Sequence, residues 1–314
     1  FEADGGEILF DGKDVTKMDE RELFGVRRRI AYLFQGAALF DSLNVGENVA
    51  YGLREQNWDT MSDAEVRKRF GQKVIYDGLD LEVRRGETLT VMGGSGVGKS
   101  VMLKMLIGLL RVDAGSINFD GIELTELNDR AYGRIRQRIG MLFQGAALFD
   151  SLTVGENVAY GLREHFYKKM NDDDINQRVK TSLELVGLPG IQEMVPSDLS
   201  GGMKKRVGLA RTIALQPEII LYDEPTTGLD PVNTARINLL IKGIAEALHI
   251  TAIVVTHDMG TAFDVSDKLA MIYRGKVLLH GTPQSFEESK DPRVHNFIKG
   301  IAPKGEDVAT LLHT

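Results

Sequence analysis

The chain has 314 residues, of which 43% are hydrophobic and 26% are charged, as in ordinary globular proteins with a hydrophobic core. It contains no cysteine, which excludes disulfides and thiolate chemistry and suits a reducing compartment. The formal net charge of −7 argues against a large nucleic-acid surface, so no nucleic-acid partner is expected.

Membrane-spanning and secretory patterns are not found in the sequence. No apolar run approaches the roughly 18 residues that cross a bilayer. The strongest candidates, Ile219–Leu221 and Ile250–Val255, are short and predict buried strands. No secretory signal pattern follows Phe1. If the protein serves a membrane process, we expect another chain to carry the membrane-spanning part.

The N-terminal part of the chain repeats a piece of the middle. Gln144 lies 109 positions after Gln35, and the same offset relates every matching segment without a gap. Two copies do not make a solenoid, which stacks a longer series of repeats. The matching pairs are Gly6–Gly12 with Gly115–Gly121, Leu33–Leu43 with Leu142–Leu152, and Val45–Glu55 with Val154–Glu164.

We interpret residues 1–58 as a truncated duplicate of a domain fragment. It lacks the glycine-rich loop and the acidic strand that flank the same segment in the second copy, so we expect it, including Gln35, to be non-functional. Residues 59–64 form a predicted linker, and Met61 opens the intact copy. Because its apolar faces lack their usual partners, we expect the duplicate to be partly disordered or to pack opportunistically. Alternatively, it regulates the enzyme by occupying the surface against which its double normally packs.

From residue 65 to residue 290 the chain alternates short apolar runs with helical segments. This alternation predicts an α/β fold with a mostly parallel sheet covered by helices. Three aspartates at residues 172–174 begin one helix, where the helix dipole favours acids. The predicted strands are Val74–Tyr76, Leu79–Val83, Thr88–Met92 and Gly115–Phe119, and the predicted helices are Met102–Leu110, which is buried, and Asn171–Val186.

A glycine-rich segment, GGSGVGKS at Gly93–Ser100, follows the strand TLTVM and opens a helical stretch. Between a strand and a helix, this spacing of glycines, Lys99 and Ser100 is the phosphate-loop pattern. Its backbone N–H groups would bind phosphate oxygens, Lys99 would contact the β- and γ-phosphates, and the Ser100 hydroxyl would bind Mg²⁺. The alternative, a glycine-rich turn that binds nothing, agrees less well with the flanking strand and helix.

Two acidic residues end the apolar strand of IILYDEP at Ile219–Pro225. We expect Asp223 to hold Mg²⁺ and Glu224 to orient or deprotonate the attacking water. Taken alone, an acidic pair at a strand end is more typical of a solvated loop. Together with the phosphate loop, it predicts hydrolysis of ATP.

The segment DLSGGMKKRVGLAR at Asp198–Arg211 precedes that strand and resembles the signature of ABC-type ATPases. In that family the serine and glycines begin a helix that faces the γ-phosphate bound by the opposite subunit. The resemblance covers about Glu65–Thr282. It implies a P-loop NTPase (RecA-like) core with an antiparallel β-subdomain and an α-helical subdomain at about residues 146–212. It also implies a homodimer with two ATP molecules between its subunits.

The same resemblance assigns roles to residues that would be inconspicuous alone. Gln144 resembles the Q-loop residue, Asp230 in TTGLDP resembles the D-loop residue that crosses the dimer interface, and His257 resembles the switch histidine at the γ-phosphate. A lone histidine after a strand is more often structural, so its role depends on the whole set. The resemblance assigns catalysis to Lys99, Gln144, Glu224 and His257, nucleotide binding to Phe70, Gly93, Gly94, Ser95, Gly96, Val97, Gly98, Lys99, Ser100, Ser200, Gly201, Gly202 and Asp230, and Mg²⁺ binding to Ser100, Gln144 and Asp223.

An aromatic residue that stacks on adenine precedes a glycine upstream of the phosphate loop in this family. Phe70, followed by Gly71, fits that place, and Tyr76 is the second candidate. Both residues also have the simpler interpretation of a core aromatic. We therefore predict Phe70 as the nucleotide contact and Tyr76 as a core residue on a strand.

Three features narrow the resemblance to one branch. Met203 stands where glutamine is commonest, the segment LFQGAALFDSLTVGENVAYGLREH lacks the usual proline, and the end of the chain contains HGTPQSF and DPRVHNFIKGIAPKG. All three resemble the ATPase subunits of the Mla and MCE lipid-transport systems of Gram-negative envelopes and their plastid relatives. In those systems a homodimer lies under a permease and powers phospholipid movement between membranes.

This resemblance implies ATP and Mg²⁺ as cofactors, and an integral-membrane permease and an MCE-type lipid-binding protein as partners. It also implies a peripheral location on the cytoplasmic face of the inner membrane. An ABC importer for a small solute would have the same chemistry with another cargo. A non-transport ABC protein acting on ribosomes or DNA usually carries two complete ATPase domains or long coiled coils, and the sequence has neither. The tail at residues 291–314 either contacts the second subunit or is disordered at its end.

Overall fold

The computed structural model describes residues 9–18, 22, 74–166 and 169–301. The chain divides into two units, Phe1–Lys73 and Val74–Thr314. In the first unit, strand β1 (Leu9–Phe10) pairs antiparallel with strand β2 (Lys13–Asp14), and a 3₁₀ turn follows at Val15–Lys17. The predicted boundaries at residues 58 and 65 lie outside the described residues.

A six-stranded sheet forms the centre of the described part of the second unit. Its strands are β3 (Thr88–Met92), β6 (Ile139–Leu142), β7 (Ile219–Asp223), β8 (Thr251–Val255), β9 (Lys268–Tyr273) and β10 (Lys276–Gly281), and a separate hairpin is formed by β4 (Asn118–Phe119) and β5 (Ile122–Glu123). The strand order is β10–β9–β3–β8–β7–β6, in which all neighbours are parallel except β9 and β10. The predicted α/β fold with a mostly parallel sheet is therefore confirmed.

Helices connect these strands and cover the sheet. Their bounds are α1 (Lys99–Leu106), α2 (Asp129–Arg136), α3 (Val154–Phe166), α4 (Asp172–Leu185), α5 (Gly201–Ala214), α6 (Pro231–Leu248), α7 (Met259–Val265), α8 (Pro283–Glu287) and α9 (Pro292–Lys299). At the start of α4, Asn171 accepts a hydrogen bond from the N–H of Asp174, and Asp174 accepts one from the N–H of Asn171. The predicted acid-rich first turn is thus a capping box.

The sheet is buried on both faces, because successive side chains of a strand point in opposite directions. Along β7, Ile220 and Tyr222 pack with α3, α4, α5 and α6, whereas Leu221 packs on the other side with α1 and α2. The helices α3, α4 and α5 also pack against one another within the predicted helical subdomain. The result is three layers, with the carboxyl ends of the parallel strands at one edge.

The two strands predicted at residues 74–83 are wrong, since this segment is irregular. Its alternation does appear in burial, because Leu79, Leu81 and Val83 are half-buried against the core while Asp80 and Glu82 are exposed. No described strand pairs with the segment. The sequence pattern therefore predicted which side chains face inwards, but not the hydrogen-bond ladder that defines a strand.

Other element predictions are corrected at their ends. The helix predicted to reach Leu110 ends at Leu106, because Gly108 follows with a φ of 67° and turns the chain. Only the last two residues of the strand predicted at Gly115–Phe119 are in a ladder. The buried strands predicted around residues 219–221 and 250–255 are confirmed as β7 and β8. Among the described residues, no helix is both long and apolar enough to span a bilayer.

Candidate nucleotide site

The phosphate loop connects β3 to α1 at the carboxyl edge of the sheet. Gly98 is the N-cap of α1 with a φ of 103°, a left-handed conformation that glycine adopts without strain. A Cβ atom at Gly98 would lie 2.8 Å from Tyr76 Oη, and a Cβ at Gly93 would lie 2.7 Å from Ile272 O. The chain is too closely packed for a side chain at either position. Between them lie residues that are exposed or half-buried: Gly94, Ser95, Gly96 and Val97.

Lys99 is folded back onto the loop. Its Nζ donates hydrogen bonds to Gly93 O at 2.8 Å and to Gly94 O at 3.1 Å, and it lies 3.8 Å from Glu224 Oε1. Only 8% of Lys99 is exposed, and burial lowers the pKa of its ammonium, against the opposing effect of the Glu224 and Asp223 carboxylates. This cation can exchange carbonyl partners for phosphate oxygens without leaving the loop.

Ser100 and Asp223 meet at the end of β7. The Ser100 hydroxyl donates a hydrogen bond to Asp223 Oδ1 at 2.6 Å. Burial raises the pKa of the Asp223 carboxyl, and the Ser100 hydrogen bond acts in the opposite direction. A hydroxyl and a carboxylate oxygen beside a phosphate loop fit Mg²⁺, which takes oxygen ligands and usually completes its shell with phosphates and water.

Glu224 has an unusual backbone conformation for a residue with a side chain. Its φ is 48°, in the left-handed region. This turn directs the carboxylate towards the residues that follow β8. Glu224 Oε2 lies 2.9 Å from His257 Nδ1 and accepts hydrogen bonds from Thr256 Oγ1 at 3.3 Å and Thr227 Oγ1 at 3.2 Å. The structure therefore brings His257, whose side chain is 62% exposed, directly to Glu224.

The signature residues lie at the start of α5. Ser200 is the N-cap of this helix and accepts a hydrogen bond from the N–H of Met203 at 3.3 Å. Ser200 and Gly201 are exposed, whereas Gly202 is buried, and a Cβ there would lie 3.1 Å from Asn233. The exposed N–H groups of a helix start are suited to an anion that approaches from outside this chain.

Asp230 also begins a helix. Its carboxylate accepts hydrogen bonds from the N–H groups of Val232 and Asn233, both at 3.0 Å, and caps α6. These hydrogen bonds, together with one from the Asn233 side chain, lower the pKa of the Asp230 carboxyl. The residue predicted to cross a dimer interface is thus an exposed helix cap within its own chain.

Comparisons with known proteins agree with this geometry. A family model described as "ABC transporter" matches residues 76–227. The intermembrane phospholipid transport system ATP-binding protein MlaF of Haemophilus influenzae is 44% identical over 230 residues, which cover 73% of this chain and 86% of the relative. The chain belongs to the ABC transporter ATP-binding family. It is an ATPase of that family.

Other ABC proteins are similar over comparable lengths. The probable ribonucleotide transport ATP-binding protein mkl of Mycobacterium leprae is 42% identical over 242 residues, 76% of this chain and 69% of the relative. Among solved structures, the dimeric ATP-binding cassette MJ0796 bound to ADP and Pi has a TM-score of 0.62 and 32% identity, covering 67% of this chain and 90% of that one. The predicted ABC fold is therefore confirmed.

For two predicted site residues of the ABC cassette, Gln144 and Phe70, the structure shows no contact with the other site residues described above. Gln144 is exposed in the loop after β6, and its side chain makes no hydrogen bond with the described residues. Its contact with Mg²⁺ stays a prediction. Phe70, predicted to stack on adenine, lies outside the described residues. Tyr76, the second candidate, is half-buried and donates a hydrogen bond to the Gly98 carbonyl, so it supports the phosphate loop.

Two cations of α5, the buried Lys205 and the half-buried Arg211, were missed in the sequence. Lys205 donates a hydrogen bond to Glu224 O at 3.0 Å. Arg211 donates to Ala146 O at 2.9 Å and Ala147 O at 2.7 Å, and both alanines have positive φ, 61° and 48°. Each cation thus holds a left-handed turn in a loop of the ABC site. The only sequence signal was the presence of basic residues inside an otherwise largely buried helix.

Proposed function

We propose that the chain is the ATP-hydrolysing subunit of a transporter that moves phospholipid between membranes, acting as a homodimer beneath a separate permease. The observation that carries this proposal is the 44% identity to an intermembrane phospholipid transport ATP-binding protein over 86% of that protein's length. The same relationship extends to the MlaF protein of Escherichia coli, at 39% identity over 92% of its length. The geometry of the site supports the chemical part of the proposal.

Binding of ATP begins at the phosphate loop. Backbone N–H groups of residues 93–100 and the start of α1 would receive the β- and γ-phosphates, because a helix start favours anions. Lys99 would transfer its hydrogen bonds from Gly93 O and Gly94 O to phosphate oxygens. Ser100 and Asp223 would hold Mg²⁺, with Gln144 as a further ligand, and the ion would neutralise charge on the phosphates.

Glu224 would act on the water that attacks the γ-phosphate. A carboxylate within hydrogen-bond reach of that water can orient it or take its proton. His257 Nδ1, 2.9 Å from Glu224 Oε2, would hold the carboxylate in place and contact the γ-phosphate through the rest of its exposed ring. The hydroxyls of Thr256 and Thr227 donate hydrogen bonds to the same oxygen.

The second subunit would complete the site. Ser200, Gly201 and Gly202 lie at the start of α5, where Ser200 and Gly201 are exposed. In a homodimer, this start would bind the γ-phosphate held by the partner, and Asp230 would lie at the same interface. The dimeric state of the cassette MJ0796 supports this arrangement.

A permease would dock on the helical subdomain. Phe149 and Tyr160 are both exposed, and their ring centroids are 4.7 Å apart. Exposed aromatic pairs of this kind are typical of protein interfaces. We propose that this surface receives the permease, that an MCE-type lipid-binding protein belongs to the same complex, and that the subunit is peripheral on the cytoplasmic face of the inner membrane.

A second candidate differs only in its cargo. The mkl relatives are named as probable ribonucleotide transport proteins and are 42% identical to this chain. A small polar solute would require the same ATPase and a different permease. The nucleotide site cannot distinguish these cargoes, because it contacts only ATP.

The test is a detergent pull-down of the tagged full chain from its native membranes, with proteins and lipids identified by mass spectrometry. Recovery of a permease, an MCE-type protein and enriched phospholipid would support lipid transport. Recovery of a permease with a solute receptor would replace lipid by a solute. Recovery of ribosomes without a permease would overturn the transport role and leave the ATPase intact.

We also propose that residues 65–290 are the complete nucleotide-binding domain, with its helical subdomain at about 146–212, and that residues 1–58 are dispensable. A chain that begins at Met61 should hydrolyse ATP at the rate of the full chain. A marked change in that rate would assign a regulatory role to the duplicate.

A further inference from the structure

Lys205 is a buried lysine in the second turn of α5. Only 6% of the residue is exposed, and its Nζ donates a hydrogen bond to the backbone carbonyl of Glu224 at 3.0 Å. No carboxylate lies within ion-pair distance of Nζ among the described residues. In the part of the chain that the structure describes, one backbone carbonyl is the hydrogen-bond partner of this buried ammonium.

Such an arrangement is unfavourable for stability. Taking an ammonium out of water is costly unless a charge of opposite sign pairs with it. Burial lowers the pKa of Lys205 to about 8, although the carboxylates of Glu224 and Asp223 act in the opposite direction. An apolar side chain of the same length would fill this space with less loss of solvation. The residue therefore needs an explanation other than packing.

The carbonyl that Lys205 contacts belongs to a strained turn. Glu224 has a φ of 48°, a conformation that persists only when its surroundings hold it. Its N–H donates to Val255 O at 2.9 Å, and its carbonyl also accepts from the N–H of Thr227 at 3.3 Å. Among the described residues, Lys205 is the charged donor to this carbonyl. If the turn relaxed from its left-handed conformation, the Glu224 carboxylate would move away from Thr256 and His257.

We propose that Lys205 is a positioning residue for ATP hydrolysis: it fixes the left-handed turn at Glu224 and so places the carboxylate for the attacking water. The same side chain ties Glu224 to α5, the helix that begins at Ser200. In the proposed dimer the start of α5 contacts the partner's nucleotide, so Lys205 connects one subunit's catalytic turn with the other subunit's ATP. The inference rests on the role proposed for Glu224.

The experiment compares ATP turnover and thermal unfolding of the full chain with those of three variants. Lys205→Met removes the charge and keeps the length, Lys205→Arg keeps a charged donor, and Lys204→Met is the matched control. Lys204 immediately precedes Lys205 on the same helix. It is half-exposed, and its side chain makes no hydrogen bond with the described residues.

For Lys205→Met we expect kcat to fall by about 10- to 100-fold, since a displacement of about 1 Å at a reacting group costs about 100-fold. The KM for ATP should stay within about twofold, because the phosphate loop is unchanged. Its melting temperature should equal or exceed that of the wild type, because an unpaired buried charge is removed. Lys205→Arg should recover most of kcat, and Lys204→Met should match the wild type.

Two results would overturn the inference. One is a Lys205→Met turnover within about twofold of the wild type. The other is a loss of both turnover and melting temperature that Lys205→Arg does not restore, which is the behaviour of a packing residue. Should Lys205→Met not fold, Lys205→Gln is measured by the same criteria. Glu224→Gln, assayed in parallel, distinguishes failure of the role proposed for Glu224 from failure of the role proposed for Lys205. If Glu224→Gln keeps turnover, the role of Glu224 is wrong. If Glu224→Gln abolishes turnover while Lys205→Met does not change it, only the role of Lys205 is wrong.

Discussion

The two sides of the nucleotide site differ in how complete they are within one chain. On the phosphate-loop side, Ser100 is hydrogen-bonded to Asp223, and Glu224 lies within ion-pair distance of Lys99 and 2.9 Å from His257 Nδ1. On the signature side, the polar groups cap their own helices and are otherwise exposed. Folding of one chain thus brings the residues of the first side together, whereas the capping side chains of the second side bond only within their own helices in the described part of the chain.

The largest expected effect is on the first side, at Glu224. Glu224→Gln should lower ATP turnover by about 100- to 10,000-fold, the usual contribution of a general base. ATP binding should remain, because Lys99 and the phosphate loop are unchanged. Turnover is measured by phosphate release and binding by a fluorescent nucleotide. Asp264→Asn, an exposed surface acid paired with Lys242, is the control. Turnover close to that of the wild type in Glu224→Gln would contradict the assignment.

The second prediction tests whether the signature side acts in the partner. Gly201→Asp should abolish turnover by repelling phosphate, while folding is unaffected, because a Cβ at Gly201 meets only Leu229 at 3.9 Å and an acid suits a helix start. Mixing this variant with Glu224→Gln, each inactive alone, should restore about a quarter of wild-type turnover if the sites are independent, because each mixed dimer has one intact site.

Native mass spectrometry of the same mixture checks that mixed dimers form. Mixed dimers without any recovered turnover would place both residues in one site of one chain. That outcome would remove the distinction between the two sides.

A smaller effect is expected at Asp230. Asp230→Ala should lower the free energy of unfolding measurably through loss of the α6 cap, as determined by urea denaturation. Asp230→Asn keeps the cap and should retain stability. Loss of ATP-induced dimerisation in Asp230→Asn would then identify an interface role for the charge. If Asp230→Asn lost as much stability as Asp230→Ala, the hydrogen bonds of the cap would not be the contribution that the carboxylate makes to stability.

The smallest effect concerns Tyr76, which supports the phosphate loop. Tyr76→Phe should lower the free energy of unfolding by about 1 kcal/mol at neutral pH, because the Gly98 carbonyl loses a donor. Burial raises the pKa of Tyr76 from 10.0 to about 12. The folded protein therefore holds this proton after the unfolded chain has released it, and stability is lost as pH rises through this range.

Chemical denaturation at several pH values measures this difference. Above pH of about 10, the free energy of unfolding should fall more steeply in the wild type than in Tyr76→Phe. Equal slopes would show that the phenol is not shielded from solvent by its contact with the loop. Burial also raises the pKa of Tyr222, but this residue contributes equally to the wild type and to Tyr76→Phe.

Motifs that lie within one strand, loop and helix could be predicted without the structure. The phosphate loop is continuous with β3 and α1, and the acidic pair is continuous with β7, so residue spacing alone places their side chains. The capping box of α4 and the buried strand β8 are local in the same sense. For such elements, secondary-structure propensity and hydrophobic periodicity depend on residues that are close together in the sequence.

Contacts between distant elements could not be predicted in this way. Lys205 and Arg211 looked like ordinary basic residues of a helix, because their partners are loop carbonyls 19, 64 and 65 residues away. The segment Leu79–Val83 has the alternation of a strand, yet a strand also needs a neighbour with free N–H and C=O groups. Whether such a neighbour is present depends on the whole fold.

The family, the α/β order and the chemistry of the phosphate-binding residues could all be predicted from the sequence, because they depend on residue type at short spacing. The packing of distant elements was needed to show that Glu224 adopts a left-handed turn, that His257, Thr256 and Thr227 share its carboxylate, and that Lys205 and Arg211 of α5 hold the neighbouring loops. The physical reason is that backbone strain and buried charge are stable only where several elements meet, and no single segment contains that information.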